Sequence, residues 1–412
     1  MKGYKHTELG WIPEDWGVKK LKEIILLKSG FAFESEFFSN EGPIVLTPGN
    51  FNLTGGLYFN EGNIKRYSGN YSDGLILENG SLVIVMTDLT KECNLLGKPA
   101  IVNHHESILH NQRIGKVLIN SSVSKGFLYN FFLSDFYLKS IKNTATGTTV
   151  RHTSNDSILN IYISIPSLSE QNQIENILST WDKSIETLTQ LIAAKQQLKK
   201  GLMQQLLTGK KRLPGFNGNW KRIKLGSVFQ KIIGGGTPSR DRPEYWNGSI
   251  YWATVKDLSN FDASKTQETI TELGLKSSAS NLIPKGTLIT STRMAVGKSV
   301  IFNVDVAINQ DLKALIPHED FDTKFLYYSF QNNFSEIERL GNGSTVKGIV
   351  LEDFKNILIS VSPNITEQKE IANFFLLIDK EIEGLKTQLE FLKHQKQGLM
   401  QQLLTGKKRV KL

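Results

Sequence analysis

Residues 201–212 read GLMQQLLTGKKR, and residues 398–409 read the same twelve letters. Upstream the correspondence continues without a gap. Glu170-Gln171 recurs as Glu367-Gln368, Asp182-Lys183 as Asp379-Lys380, and Ile185-Glu186 as Ile382-Glu383. Internal repetition constrains architecture before any local pattern does. The chain must fold as two similar halves in tandem, each closing on the same helix. Whatever it does, it is built to do twice.

The parts preceding the helices repeat more loosely. Trp16 and Leu21 in WGVKKL correspond to Trp220 and Leu225 in WKRIKL, and each pair runs into a glycine-bearing loop, KSGFAFES (28–35) or IGGGTPSR (233–240). NGSLVIVMTD (79–88) pairs with PKGTLITSTR (284–293), Gly97-Lys98 with Gly297-Lys298, Asn111-Gln112 with Asn309-Gln310, and GTTVR (147–151) with GSTVK (343–347). Runs such as SLVIVM, PAIVN, KVLIN, IYISI, TLITST, SVIFNV and KALIP read as strands between polar turns. FLYNFFLSDFYLKSI (127–141) and KFLYYSFQNNFSEIERL (324–340) read as helical. The fold class expected is α+β, with a mixed or antiparallel sheet in each half.

In the second helix, apolar residues fall at Ile371, Phe375, Ile378, Ile382, Leu385, Leu389, Leu392, Leu399 and Leu403. Spacings of four and three mark a coiled-coil seam. Lys199 and Lys396 occupy one seam position in the two copies and mark either a splayed or solvated stretch or a register lock, of which the first is expected. Ser169 and Thr366 are expected as N-caps, Gly209 and Gly406 as C-caps. Helices of this length reach about 60 Å at ~1.5 Å per residue. The connection between the first helix and the second globular part is short. The expected architecture is therefore an antiparallel coiled coil with one globular domain towards each end and a pseudo-two-fold axis. The boundaries read as 1–165 (first globular domain), 166–209 (first helix), 210–362 (second globular domain), 363–407 (second helix) and 408–412 (basic tail).

Composition narrows the partners. Apolar residues make up 39% of the chain and charged residues 22%, a balance that suits globular folding. The net charge of +9 favours a polyanion. The single cysteine, Cys93, permits neither an internal disulfide nor a cysteine zinc site, and no run has the ~18–20 apolar residues of a membrane span. A cytoplasmic protein is expected. Catalytic signatures are missing: there is no amino-methyltransferase motif of the Asn-Pro-Pro-Tyr kind and no dinucleotide fingerprint. MAVGKSV (294–300) and NLLGKPA (94–100) imitate the end of a phosphate loop but have Thr292 and Glu92 where its first glycine belongs, so they read as β-turns. His104, His105 and His110 lack acidic partners at ligand spacing, so no metal site is expected. Asp311 and its counterpart Arg113 differ, which argues against a shared catalytic site. The chain is expected to be non-catalytic.

Two similar domains held at a fixed separation suit two half-sites on one face of a duplex, with centres about 10 base pairs apart. Unlike domains imply unlike half-sites and an unread middle. At this point YKHTELGWIPEDW, the Glu-Gln pairs, the QQLLTGKKR helix ends and the glycine-Ser/Thr loops together resemble the specificity subunits of type I restriction–modification systems, across essentially the whole chain. The resemblance implies target-recognition domains alternating with spacer helices. It also implies docking of two modification (adenine methyltransferase) subunits and of restriction (translocase/nuclease) subunits. S-adenosylmethionine, ATP and Mg would reside on those partners, none on this chain.

Backbone contacts position and base-edge contacts specify. The equivalent polar loops nominate Ser29, Gly30, Ser35, Thr148, Thr149, Arg151 and His152 in the first half. In the second they nominate Thr237, Ser239, Arg240, Ser344, Thr345 and Lys347. Thr87, Asp88, Lys256, Asp257 and Arg293 are secondary candidates, and Arg240→Ala is expected to weaken binding by about 1–3 kcal/mol if Arg240 pairs with a guanine. Phe31 and Phe33 read as core. Partner docking is expected at Leu202, Met203, Gln204, Gln205, Leu399, Met400, Gln401 and Gln402. Two other readings stay open: a single-chain nucleic-acid enzyme with cryptic motifs, and a coiled-coil assembly protein without DNA specificity.

Overall fold

The computed structural model describes residues 3–90, 92–120, 123–259, 261–341 and 348–411. The chain forms two units. One combines residues 1–188 with 388–412, and the other is 189–387. Each long helix is thus shared: its N-terminal stretch belongs to one unit and its C-terminal stretch to the other.

In the first unit, an antiparallel sheet runs in the order Pro99–Ile101, Leu82–Val85, Ile114–Ile119, Ile25–Ser29. A second sheet orders Arg66–Tyr67, Phe38–Leu46, Ile108–His110, Ile76–Leu77, with a parallel pairing at its centre. The second unit repeats both topologies. Phe229–Gly234, Leu312–Pro317, Leu288–Ser291 and Ser299–Ile301 form the antiparallel sheet. Glu268–Ile270, Trp246–Ala253, Val306–Ile308 and Asn281–Ile283 form the mixed one. The β-branched runs named above are these strands, buried on both faces where they are continuous, as in Leu82–Val85, except IYISI, whose Tyr162–Ile165 pairs separately with Gly17–Lys20. Both halves are mixtures of helix and strand.

The helical stretch after the sheets is broken in each unit. Lys125–Leu133 and Asp135–Thr144 are separated by Ser134, whose hydroxyl accepts from the Tyr137 amide and caps the second helix. The counterparts are Thr323–Asn332 and Phe334–Arg339. Register sharpens the repeat. The Met86 amide donates to Arg113 and the Thr292 amide to Asp311. Arg293 therefore corresponds to Thr87, one residue away from the pairing with Asp88 that the sequence suggested.

The long helices span Leu168–Leu206 and Ile365–Leu404. Their N-caps lie two residues before those expected. The Ser167 hydroxyl accepts from the Glu170 amide, and the Asn364 side chain accepts from the amides of Thr366 and Glu367. Ser169 and Thr366 sit inside the first turn because Ser167 and Asn364 supply the capping oxygens. Gly209 and Gly406 do end the helices, at φ +72° and +69°. The Gly209 and Gly406 amides return to the Leu206 and Leu403 carbonyls, the 5→2 bond of a Schellman-type ending, and the Lys211 and Lys408 amides reach the Gln205 and Gln402 carbonyls.

The twelve-residue identity has an internal explanation. In the first unit Met400, Leu403 and Leu404 enter the core beside Trp16, Phe127 and Phe131. In the second, Met203, Leu206 and Leu207 enter the core beside Leu225, Phe325 and Phe354. Each fully buried side chain of this kind stabilises by about 1.5–3 kcal/mol. A clamp follows each helix end. Arg409 reaches the buried Glu170 at 2.6 Å, and Glu170 also accepts from the Trp16 indole at 3.1 Å. Arg212 reaches the buried Glu367 at 2.5 Å, and Glu367 accepts from the Trp220 indole at 3.2 Å. Gln171 and Gln368 bind the amides of Ser124 and Asp322, tying each helix start to the shorter helix beside it. Tyr4 donates to the Gly406 carbonyl, which brings the N-terminal strand to the C-terminal helix end.

Within each unit the two helical stretches run antiparallel. Glu170 faces Arg409 and Asp182 faces Lys396 in the first. Glu367 faces Arg212 and Asp379 faces Lys199 in the second. The seam lysines are therefore not a solvated splay. Lys199 lies 2.6 Å from Asp379, and Lys396 makes the same contact with Asp182. A lysine at a seam position with a carboxylate across from it fixes register.

Candidate nucleic-acid interface

The first unit opens a polar cleft of about 550 Å³ lined by Ser29, Thr87, Gln112, Arg113, His152 and Asn155, among others. Four separate segments converge on it. Ser29 ends its strand opposite Gly115. Arg151–His152 pair antiparallel with Thr87–Asp88. The Thr87 hydroxyl lies 3.0 Å from His152 Nδ1. Gly30 is required by close approach, because a Cβ there would sit 2.3 Å from the His110 carbonyl; Gly235 meets the Ile308 carbonyl in the same way. That contact seats the loop against the 111–113 turn, so Gly30 shapes the cleft and carries no reading group.

The other candidates of this half divide by what already holds them. Thr148 and Thr149 are exposed at a loop tip. Arg151 is committed to that loop, donating to the carbonyls of Gly147 and Ala145. Ser35 is exposed at the start of a single helical turn outside the cleft. Asp88 is fully buried, and its carboxylate accepts from the amides of Thr90, Leu95 and Leu96. It folds its own turn and cannot meet a base. Phe33 packs edge-on against Tyr67 as core, whereas Phe31 remains 44% exposed and is not core.

In the second unit Thr237 donates to the Gln310 amide oxygen at 2.6 Å, and both are exposed. Arg293 pairs with Asp311 at 3.3 Å, and Asp311 also accepts from Asn309. Arg240 differs from its expected role. Its guanidinium is bidentate to Glu268 at 2.5 and 3.0 Å, and it lies 3.7 Å from the centre of the Trp246 ring. A guanine would have to displace Glu268. Ser239 supplies the carbonyl that accepts from the Trp246 indole, which completes this brace. Asp257 is buried on the amides of Thr254 and Gln267, a capping role, while Lys256 is exposed. Ser344, Thr345 and Lys347 lie outside the described residues.

The docking candidates also divide. Met203 and Met400 point into the cores at 7% exposure, so a partner cannot grip them. Leu202 and Leu399 are half-buried against the same cores. Gln204, Gln205, Gln401 and Gln402 are exposed. The sequence could not separate these roles, because a docking face and a packing face both demand identity.

The phosphate-loop mimics are turns, each with a left-handed glycine, Gly97 or Gly297, between two strands. Among the described residues, His104, His105 and Glu106 converge to within 4.8 Å. Glu106 is already bidentate to Arg66, which holds its carboxyl below the usual range. His110 is remote from this role: its buried ring lies 2.7 Å from the Ile114 carbonyl. No helix among the described residues is long and apolar enough to cross a membrane.

The model of the type I restriction modification DNA specificity domain matches the chain twice, over residues 13–196 and 217–394. The chain belongs to this family. The putative type I restriction enzyme MjaX specificity subunit of Methanocaldococcus jannaschii is 26% identical over 431 residues, covering 99% of this chain and 97% of its own. The EcoR124I/EcoR124II specificity subunit of Escherichia coli is 31% identical over 240 residues, 56% of this chain and 57% of its own. The fold matches the type I S subunit from M. genitalium with a TM-score of 0.58 at 16% identity, covering 94% of this chain and 96% of that one. It also matches a chain solved in work on complex assembly of the type I R-M system, with a TM-score of 0.60 at 19% identity, covering 96% and 99%. The two family matches fall on the two halves that the sequence repeat defines.

Sequence reasoning missed Gln112 and Arg113. The available signal was the Asn-Gln pair repeated at 111–112 and 309–310, followed by a residue that changes sign between the halves.

Proposed function

We propose that the chain is the non-catalytic specificity subunit of a type I restriction–modification enzyme and reads an asymmetric, bipartite DNA site. The observation that carries this reading is the duplication itself: one family domain twice, with the same topology and different chemistry in the equivalent loops. Residues 1–165 and 210–362 serve as recognition domains, 166–209 and 363–407 as spacer helices, and 408–412 as a basic tail. The helices act as an antiparallel coiled coil that sets the distance between the two readers. Centres about one helical turn apart leave roughly six base pairs unread.

In this reading Ser29, Thr87, Thr148, Thr149, His152, Thr237, Lys256 and Arg293 face DNA, with Ser344, Thr345 and Lys347 in the second head. Gln204, Gln205, Gln401 and Gln402 offer two matching surfaces to two modification subunits, and restriction subunits join that core. S-adenosylmethionine, ATP and Mg belong to those partners. The site of action is the cytoplasm. The test is a map of methylated adenines across a genome, with and without this gene beside its cognate modification subunit. A split motif that vanishes with the gene supports the proposal; a chain that methylates or cuts DNA alone, or a map that does not depend on it, overturns it.

A further inference from the structure

Structurally equivalent positions in the two units carry opposite charge. Arg113 and Asp311 each accept from an equivalent strand residue, Met86 or Thr292, through their backbone carbonyls. Each also follows the same asparagine brace: the Arg113 amide donates to Asn111 Oδ1 at 2.9 Å, and the Asp311 amide to Asn309 Oδ1 at 3.2 Å. The backbone of both turns is thus pinned. Their side chains differ. In the second unit Asp311 neutralises Arg293 and binds Asn309, and the neighbouring Gln310 accepts from Thr237. In the first unit position 293 is replaced by Thr87, and no ion pair or side-chain hydrogen bond among the described residues engages the guanidinium of Arg113. Gln112 beside it is also exposed, and both line the polar cleft. Lys28 and Lys116 face each other across the strands one residue from Ser29 and Gly115. Asp156 is the one carboxylate lining the same cleft.

Resting on the DNA-reading proposal above, we infer that Arg113 is a specificity-determining residue that reads a guanine in the first half-site, and that the equivalent turn of the second head, where Asp311 pairs with Arg293 instead, has no counterpart. Arginine matches the O6 and N7 acceptors of guanine with two parallel N–H groups. The pinned turn fixes the backbone, so the ordering left on binding is that of the arginine side chain alone. Gln112, exposed in the same cleft, is placed to take the adjacent base edge.

The test uses the chain assembled with its modification subunits. Methylated adenines are mapped for wild type and for Arg113→Ala, and binding is measured on a target duplex in which single guanines are replaced by 7-deazaguanine, which lacks the N7 acceptor. The expected result is that Arg113→Ala relaxes one G·C position in one half of the motif, leaving the other half and the gap intact. One 7-deazaguanine should weaken wild-type binding about 5- to 100-fold and leave the variant indifferent. A variant that keeps every guanine preference while binding weakens equally on all sequences makes Arg113 a phosphate contact and overturns this inference alone. A wild-type assembly without any split motif overturns the underlying reading as well. The thermal stability of Arg113→Ala, a surface change, should equal that of wild type and excludes misfolding as the cause.

Discussion

Replacing Glu170 by alanine removes the acceptor on which an N-terminal indole and a C-terminal guanidinium converge in the first unit. Trp16 is fully buried, so its N–H would be left without a partner. That desolvation alone costs about 1–3 kcal/mol. Arg409 loses contacts of 2.6 and 2.8 Å but keeps Asp15 at 2.9 Å, and its side chain is 38% exposed. Water screens that part, and it adds at most about 1 kcal/mol. The expected loss is therefore about 2–4 kcal/mol. Glu367→Ala should cost more, about 3–5 kcal/mol, because Arg212 is only 21% exposed and the Ser362 hydroxyl also relies on the carboxylate. Unfolding of a two-unit chain need not be two-state, so tryptophan fluorescence in urea should be paired with hydrogen exchange at the helix ends. Glu170→Gln, which retains an acceptor for the indole, should recover part of the loss. An alanine variant within 1 kcal/mol of wild type, or one whose Met400–Leu404 amides keep full protection, would refute the clamp.

Other substitutions probe the same framework. Asp182→Asn and Asp379→Asn each remove a cross-helix ion pair and should cost about 0.5–1.5 kcal/mol, with double-mutant cycles against Lys396→Met and Lys199→Met showing coupling; additive changes would dismiss the register role. Gly406→Ala places a Cβ 2.4 Å from Pro13 at φ +69° and should lower stability by at least about 1–2 kcal/mol, read from urea midpoints. Burial pushes the His110 pKa below 6.5. A base whose folded value is depressed stabilises the fold above the unfolded value, and that contribution is lost as pH falls through the lower folded value. His110→Gln should flatten the acid side of the stability profile, and an unchanged slope between pH 7 and 5 would contradict this.

The sequence made some of this legible, for definite reasons. The repeat, the strands and the glycine helix ends are local signals, and Gly209 and Gly406 carry the φ angles expected of them. What it hid depends on contacts between distant residues. Lys199 and Lys396 looked like solvated seam charges because their carboxylates lie 180 and 214 residues away. Arg240 looked free because Glu268 meets it only after two strands pair. Asp88 and Asp257 resembled site acids, yet polar residues in tight turns serve the backbone first. The sequence set Arg113 against Asp311 only as a mismatch; that Asp311 holds Arg293 while Arg113 lines an open cleft shows only in the fold.

The central claim is that two unlike heads read two unlike half-sites independently. The direct measurement is a methylated-adenine map after residues 1–165 are exchanged for the corresponding segment of a relative with a different target. One half of the motif should change while the other half and the gap stay as they were. A map in which both halves change together, or neither does, would contradict it.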